Sequence, residues 1–187
     1  MNIYKGTYGY IKRKQKAEII KTTAYFGIVL AVFLAGFLTT KTRLNVMTVV
    51  AIVGCLPAGK AAVGMIMILR YKEIAHEEYE KIMPYENNLL IAYDLIFTNY
   101  EKTQQVRSLA VYNHCIYAYT GTKDFDTPYY TKHIHENAKY NQITNLQIKT
   151  FSDIKSYTKR LSSIADMPSK QQEKDEETLA FLLRLCL

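Results

Sequence analysis

"TTAYFGIVLAVFLAGFLTT", residues 22–40, runs for nineteen residues without a charge. About 20 helical residues cross a hydrocarbon core of roughly 30 Å, so this stretch predicts a membrane-spanning helix. It is too long for the apolar part of a signal peptide, and no small-residue cleavage site follows it. The polar "KTRLN", 41–45, then leads into "VMTVVAIVGCLPAGKAAVGMIMIL", 46–69, a second apolar run closed by Arg70 and Lys72. Two spans joined by so short a link form an antiparallel hairpin.

Charge orients the hairpin. Residues 1–72 hold 11 Lys+Arg and one acid, Glu18, whereas residues 73–187 hold 13 Lys+Arg and 16 Asp+Glu. The balances of +10 and −3 give the chain's +7. Basic loops stay on the cytoplasmic side, so a two-pass protein of the cytoplasmic membrane with both termini inside is expected. The mildly acidic C-terminal part lacks the basic footprint of a nucleic-acid binder. Residues 1–21 read as a basic cytosolic or interfacial segment, with Lys12, Arg13, Lys14 and Lys16 as contacts for anionic headgroups. Cys55, Cys115 and Cys186 are too scattered for a disulfide framework or a zinc site, and suit three reduced, mostly buried thiols.

Inside the second span, Pro57, Gly59 and Lys60 form a candidate polar and kink site. Lys60 lies nine residues from Leu69, roughly 13 Å along the axis at 1.5 Å per residue. A charge at that depth needs water or a partner. Gly27, Ala31 and Ala35 in the first span, and Gly54, Ala58 and Ala62 in the second, recur every four residues. Such small-residue ridges let helix backbones approach closely. If the ridges face each other, Lys60 points nearly the opposite way. It then meets another copy of the chain, a partner protein, a pore, or interfacial water reached through a thinned membrane.

Residues 73–187 read as a cytosolic α+β domain. "EIAHEEYEKIM", 73–83, predicts a helix ended by Pro84. "LLIAYDLIFTNY", 89–100, "QVRSLAVYN", 105–113, and "HCIYAYTG", 114–121, predict three strands, the last two joined in a tight hairpin at Asn113-His114. Thr127-Pro128 reads as an N-cap and first helical residue. "LQIKTF", 146–151, is a fourth strand, and Ser152-Asp153 caps the helix "IKSYTKRLSSIA". "DEETLAFLLRLCL", 175–187, is an amphipathic helix striped by Leu179, Leu182, Leu183 and Cys186. The order is α-β-β-β-α-β-α-α.

That order resembles restriction-endonuclease-like domains, which hold a metal through an acid on the second strand and Glu-x-Lys on the third. Both strands here lack those acids, so the resemblance implies an inactive relative at most. His133 and His135, two apart on a helix, point to different faces and cannot share a metal. No phosphate loop, nucleophile elbow or dinucleotide fingerprint is present, and no cofactor is expected. Tyr117, Tyr119, Tyr129 and Tyr130 are candidates for an interaction surface, against the alternative of half-buried packing.

"LNVMTVVAIVGCLPAGKAAVGMIMILR", "YDLIFTNYEK" and "IKTFSDIKSYTKRLSSI" resemble a family of small two-span membrane proteins of Gram-positive anaerobic bacteria. The resemblance implies the architecture and carries no active-site residues. Three functions fit the sequence: a membrane-anchored, non-enzymatic domain binding a protein partner; a small oligomeric pore with a cytosolic sensor; and a degenerate nuclease-like domain. Membrane lipid and either a homo-oligomer or a membrane protein partner are the expected associations.

Overall fold

The computed structural model describes residues 5–41, 46–99, 102–122, 124–143, 145–167 and 171–187. Residues 42–45 of the expected turn over 41–45, and 168–170 at the start of the polar link, lie outside the described residues. Among those described, the chain forms two compact units. One comprises residues 11–72, the other residues up to Tyr10 together with Glu73–Leu187.

The first unit is a helical hairpin. Helix α1 spans Tyr10–Thr40 and α2 spans Val46–Leu69. Both are long and apolar enough to cross a membrane. The basic residues 12–21 continue α1 without a break. No Pro or Gly interrupts Tyr10 to Phe26, and its Lys, Gln, Glu, Ala and Ile residues tolerate helix well. Helix α2 is likewise continuous through Pro57.

Its buried positions are Ala51, Ala58, Ala61 and Ile68, with Gly54 and Met65 half-covered between them. That alternation of three and four is a narrow seam for one neighbouring helix. A Cβ on Gly54 would come within 3.0 Å of Val29 Cγ2, so α1 packs directly there. The expected match of two small-residue ridges is therefore half met. Gly54 and Ala58 lie in the seam, but Gly27, Ala31 and Ala35 are exposed on α1, and nothing lies within 4 Å of Gly27's Cβ position. Helix α1 turns Thr22, Val29 and Gly36 inward instead, seven residues apart. A seven-residue seam keeps two long helices in contact, whereas a four-residue ridge winds away around the axis.

The second unit is a three-layer α/β/α sandwich. Helix α3, His76–Ile82, and a 3-10 turn, Met83–Tyr85, precede β1, Leu90–Thr98. Then follow β2, Thr103–Tyr112; β3, Cys115–Tyr119; α4, Thr127–Tyr140; β4, Gln147–Phe151; α5, Ile154–Ala165; and α6, Gln172–Leu185. The strands form one sheet in the order β1-β2-β3-β4. The first three are antiparallel neighbours, and β4 runs parallel to β3 after the α4 crossover. A parallel neighbour needs such a crossover because the chain must return to the end of the sheet where β3 began. This is the α+β order read from the sequence.

The ends of elements follow local chemistry. Asn113 and His114 have φ of 47° and 60°, the left-handed pair that a two-residue hairpin needs. The N-cap of α4 is Asp126 rather than Thr127, since its Oδ1 accepts from Tyr129 N at 3.1 Å. Asp153 caps α5 through Ser156 N at 3.0 Å.

One sheet face packs Ala92, Leu95, Phe97, Leu109, Val111 and Ile116 under Tyr130, Ile134 and Ala138 of α4 and Phe181 and Leu182 of α6. The other packs Tyr93, Ala110, Tyr117 and Tyr119 under Ile74, Ile82 and the α5 residues Tyr157, Leu161 and Ile164.

Candidate functional site

The α3-facing side of the sheet carries a polar cluster. Strand alternation would put Ala92 and Leu95 on opposite faces, as it would Val106 and Leu109. All four nevertheless share the α4/α6 core. The phase slips at the rung of Asp94 and Arg107, where Asp94 has φ 56°. A non-glycine residue in that region inside a strand is strained and persists only where its surroundings hold it. Here they do: Asp94 is fully buried and its Oδ1 accepts the Ile74 N–H at 2.8 Å.

Across the rung, Arg107 reaches α3. Its Nη1 donates to both carboxylate oxygens of Glu78, at 3.2 and 3.0 Å. Tyr119 of β3 donates to Glu78 Oε1 at 2.6 Å. Gly121, with φ 68°, leaves the room this requires, because a Cβ there would sit 2.8 Å from the Arg107 guanidinium. Burial, and then the bond to Glu78, push the Tyr119 hydroxyl above its ordinary range. Tyr119 stacks on Tyr157 with centroids 5.5 Å apart, and Tyr157 shares a 3.1 Å hydrogen bond with Ser108.

Chemically this is a locked arrangement. The Glu78 carboxylate is filled by a guanidinium and a phenol, and a protonated phenol with a raised pKa is a poor base. Among the described residues, no group of three or more His, Cys, Asp or Glu side chains could hold a metal ion.

Beside it lies an aromatic cluster built partly from the chain's beginning. Tyr8 stacks on Tyr79 at 4.0 Å, and Tyr79 meets Tyr93 edge-on at 5.2 Å. Tyr8 Oη lies 3.3 Å from His76 Nδ1. Residues 5–10 form a strap on the domain. Gly6 O accepts from Tyr93 N at 2.8 Å, Lys5 Nζ donates to Cys186 O at 2.7 Å, and Tyr10 Oη donates to Leu187 O at 2.9 Å. Gly6, with φ 80°, fits because it lacks a Cβ, which would meet Leu183 at 2.8 Å and Ala92 at 3.2 Å. Two clefts flank this region. One of about 610 Å³ is lined by Thr7, Tyr8, Tyr79, Tyr93 and Leu179. The other, about 560 Å³, is lined by Glu86, Asn87, Tyr112, Asp166 and Asp175.

The tyrosines expected to form a surface do not. Tyr117 and Tyr119 are buried under α3 and α5, and Tyr130 is buried in the opposite core. Tyr117 takes a hydrogen bond from Arg160 Nη2 at 3.1 Å, and only Tyr129 keeps partial exposure. Tyrosine at alternate strand positions packs when a helix covers that face.

His133 is half-buried with its pKa lowered by burial, while His135 is exposed. Pro57 and Lys60 are exposed on α2, Gly59 is half-covered, and Lys12 and Lys16 are exposed on α1. Arg13 and Lys14 are half-covered there. Of the cysteines only Cys186 is buried; Cys115 is half-covered and Cys55 exposed. The Cys55 thiol lies on the outward side of α2.

Sequence reading missed Gly6, Tyr8, Glu78, Asp94 and Arg107 as a set. The acid-rich "HEEYEK" gave only helix polarity. An Asp and an Arg inside apolar strand runs are the one signal that marks the slipped rung. No protein-family model, no curated protein and no solved structure matches this chain.

Proposed function

We propose that this chain is a membrane-anchored docking domain, working at the inner face of the cytoplasmic membrane by binding a protein partner rather than by catalysis. One observation carries the reading: the strap of residues 5–10 is built into the same compact unit as Glu73–Leu187. The apolar hairpin is thus an insertion within a folded domain. Both its ends leave from that domain, so both lie on the domain's side of the bilayer. The Lys and Arg excess near those ends makes that side the cytoplasm. The satisfied Glu78–Arg107–Tyr119 cluster favours a binding role over a catalytic one.

Topology is tested with single cysteines at Lys5 and Tyr140 in an otherwise cysteine-free full chain. Both should be labelled by an impermeant maleimide only after the cells are opened; labelling from opposite sides would end the reading. Function is tested by the mass of the intact protein extracted in mild detergent. A stoichiometric complex with a second protein supports docking. A discrete homo-oligomer that conducts ions in liposomes would replace it with the pore.

A further inference from the structure

The two helices of the hairpin pair out of step with their hydropathy, and this relocates Lys60. Four contacts set the register. Gln15 Nε2 donates to Ile68 O at 3.1 Å and Tyr71 O at 2.8 Å. Glu18 Oε2 lies 3.8 Å from the Cβ position of Gly64, and Val29 lies 3.0 Å from that of Gly54. One turn inward from the Glu18–Gly64 contact, Lys60 is level with Thr22. Thr22 is the first residue of the uncharged run on α1, and Lys21 immediately precedes it. The apolar residues beyond Lys60, 61–69, therefore lie beside the polar part of α1 and not beside its apolar run. From its own helix alone, Lys60 looks deep. Measured on the pair, it stands at the edge of the uncharged slab.

The direction of the side chain follows as well. Thr22 and Ala61 are buried and level with each other. Lys21 and Lys60 each precede one of them by a residue, a step of about 100°. In an antiparallel pair those two steps turn toward the same flank. Glu18 meets Gly64 on that flank, and it pairs with Lys21 at 3.6 Å. Two cations and one carboxylate leave a positive collar, with Lys21's side chain 52% exposed and Lys60 exposed. A lysine at the slab edge extends its ammonium into the headgroup layer along an apolar stem.

We infer that Lys60 and Lys21 together bind the phosphate of an anionic glycerophospholipid in the inner leaflet. This rests on the membrane-anchored reading above. It gives Lys60 its counter-charge without a pore, a partner protein or a thinned bilayer.

The full-length protein, its native cysteines replaced, is reconstituted in vesicles of phosphatidylcholine and phosphatidylglycerol. Nitroxides are placed at Lys60→Cys, Lys21→Cys and Ile52→Cys, and depth is read from oxygen against nickel accessibility. The labels at 60 and 21 should agree within about one helical turn, and the label at 52 should lie clearly deeper. Native mass spectrometry of the detergent-extracted protein then counts retained phosphatidylglycerol. Lys60→Gln and Lys21→Gln should each retain about fivefold less, whereas Lys41→Gln, at the far end of α1, retains the wild-type amount. The inference is overturned if the label at 60 is as deep as that at 52, if it is water-accessible inside a lipid-free channel, or if Lys60→Gln keeps its phosphatidylglycerol. Failure of the protein to float with vesicles would overturn the membrane reading and this inference together. Flotation with any of the other adverse results overturns this inference alone.

Discussion

Glu78 joins three elements through one carboxylate, which makes it the residue whose loss should be felt most widely. Removing one partner of a half-buried, hydrogen-bonded ion pair leaves the other poorly solvated. Glu78→Ala should therefore destabilise the domain by about 2–4 kcal/mol, and Tyr119→Phe by about 1 kcal/mol. In a double mutant the two losses should sum to less than their separate values, because they share an oxygen. Urea unfolding of the four proteins checks this, and strict additivity would mean that the cluster is not a unit.

The tyrosines make a second residue-scale prediction. Burial holds Tyr93, Tyr119, Tyr130 and Tyr157 above the ordinary value near 10.0. A raised folded-state pKa gives stability that is complete below the unfolded value and lost as pH rises through the folded one. The domain should weaken progressively above pH about 10. Absorbance at the phenolate band should show part of the tyrosine population ionising only with unfolding. A single smooth titration of all tyrosines near 10 would contradict the packing described.

Among the elements, the β2–β3 hairpin and α6 depend on one side chain that sequence periodicity hides. Asp175 is 2% exposed, and its two oxygens accept from Asn113 N at 2.9 Å and His114 N at 3.0 Å. It secures the tight turn from a helix distant in sequence. Asp175→Ala should cost about 1–3 kcal/mol, the penalty for leaving half-buried amides without their acceptor. Hydrogen exchange at Asn113 and His114 should accelerate more than exchange in β1; equal acceleration would make the effect global rather than local. In the hairpin, Gln15 serves in a similar way by donating to Ile68 O in the last turn of α2 and to Tyr71 O just beyond it.

For the whole molecule, the consequence is that the domain does not begin at residue 73. A fragment 73–187 lacks the strap that pairs with Tyr93 and stacks on Tyr79. Fusing residues 5–10 through a short flexible linker in place of 11–72 should raise its unfolding midpoint measurably. In that fusion Gly6→Ala should cancel most of the gain, since its Cβ would enter Leu183 and Ala92 and its φ of 80° disfavours any side chain. An unchanged midpoint with the strap present would show that these contacts add nothing to the fold.

Much of this architecture was legible locally. Two apolar runs, an Asn-His turn, an Asp before α5, and alternating β-branched strands each announce themselves within a few residues. These signals are short-range: side-chain period, capping groups and backbone sterics. The candidate site was not legible that way. Glu78, Arg107 and Tyr119 lie on three elements, and the one hint of Asp94's left-handed backbone in "LIAYDLIFT" is its charge among apolar neighbours. The level of Lys60 along α1 is hidden for the same reason, since it depends on which residues of α1 stand beside α2. The sequence by itself determined the two long apolar helices, the element order and the charge bias, because those follow from neighbours along the chain. Only the tertiary structure decided the strap, the slipped rung and the helix register, because each is a contact between residues tens of positions apart, chosen by packing and not by periodicity.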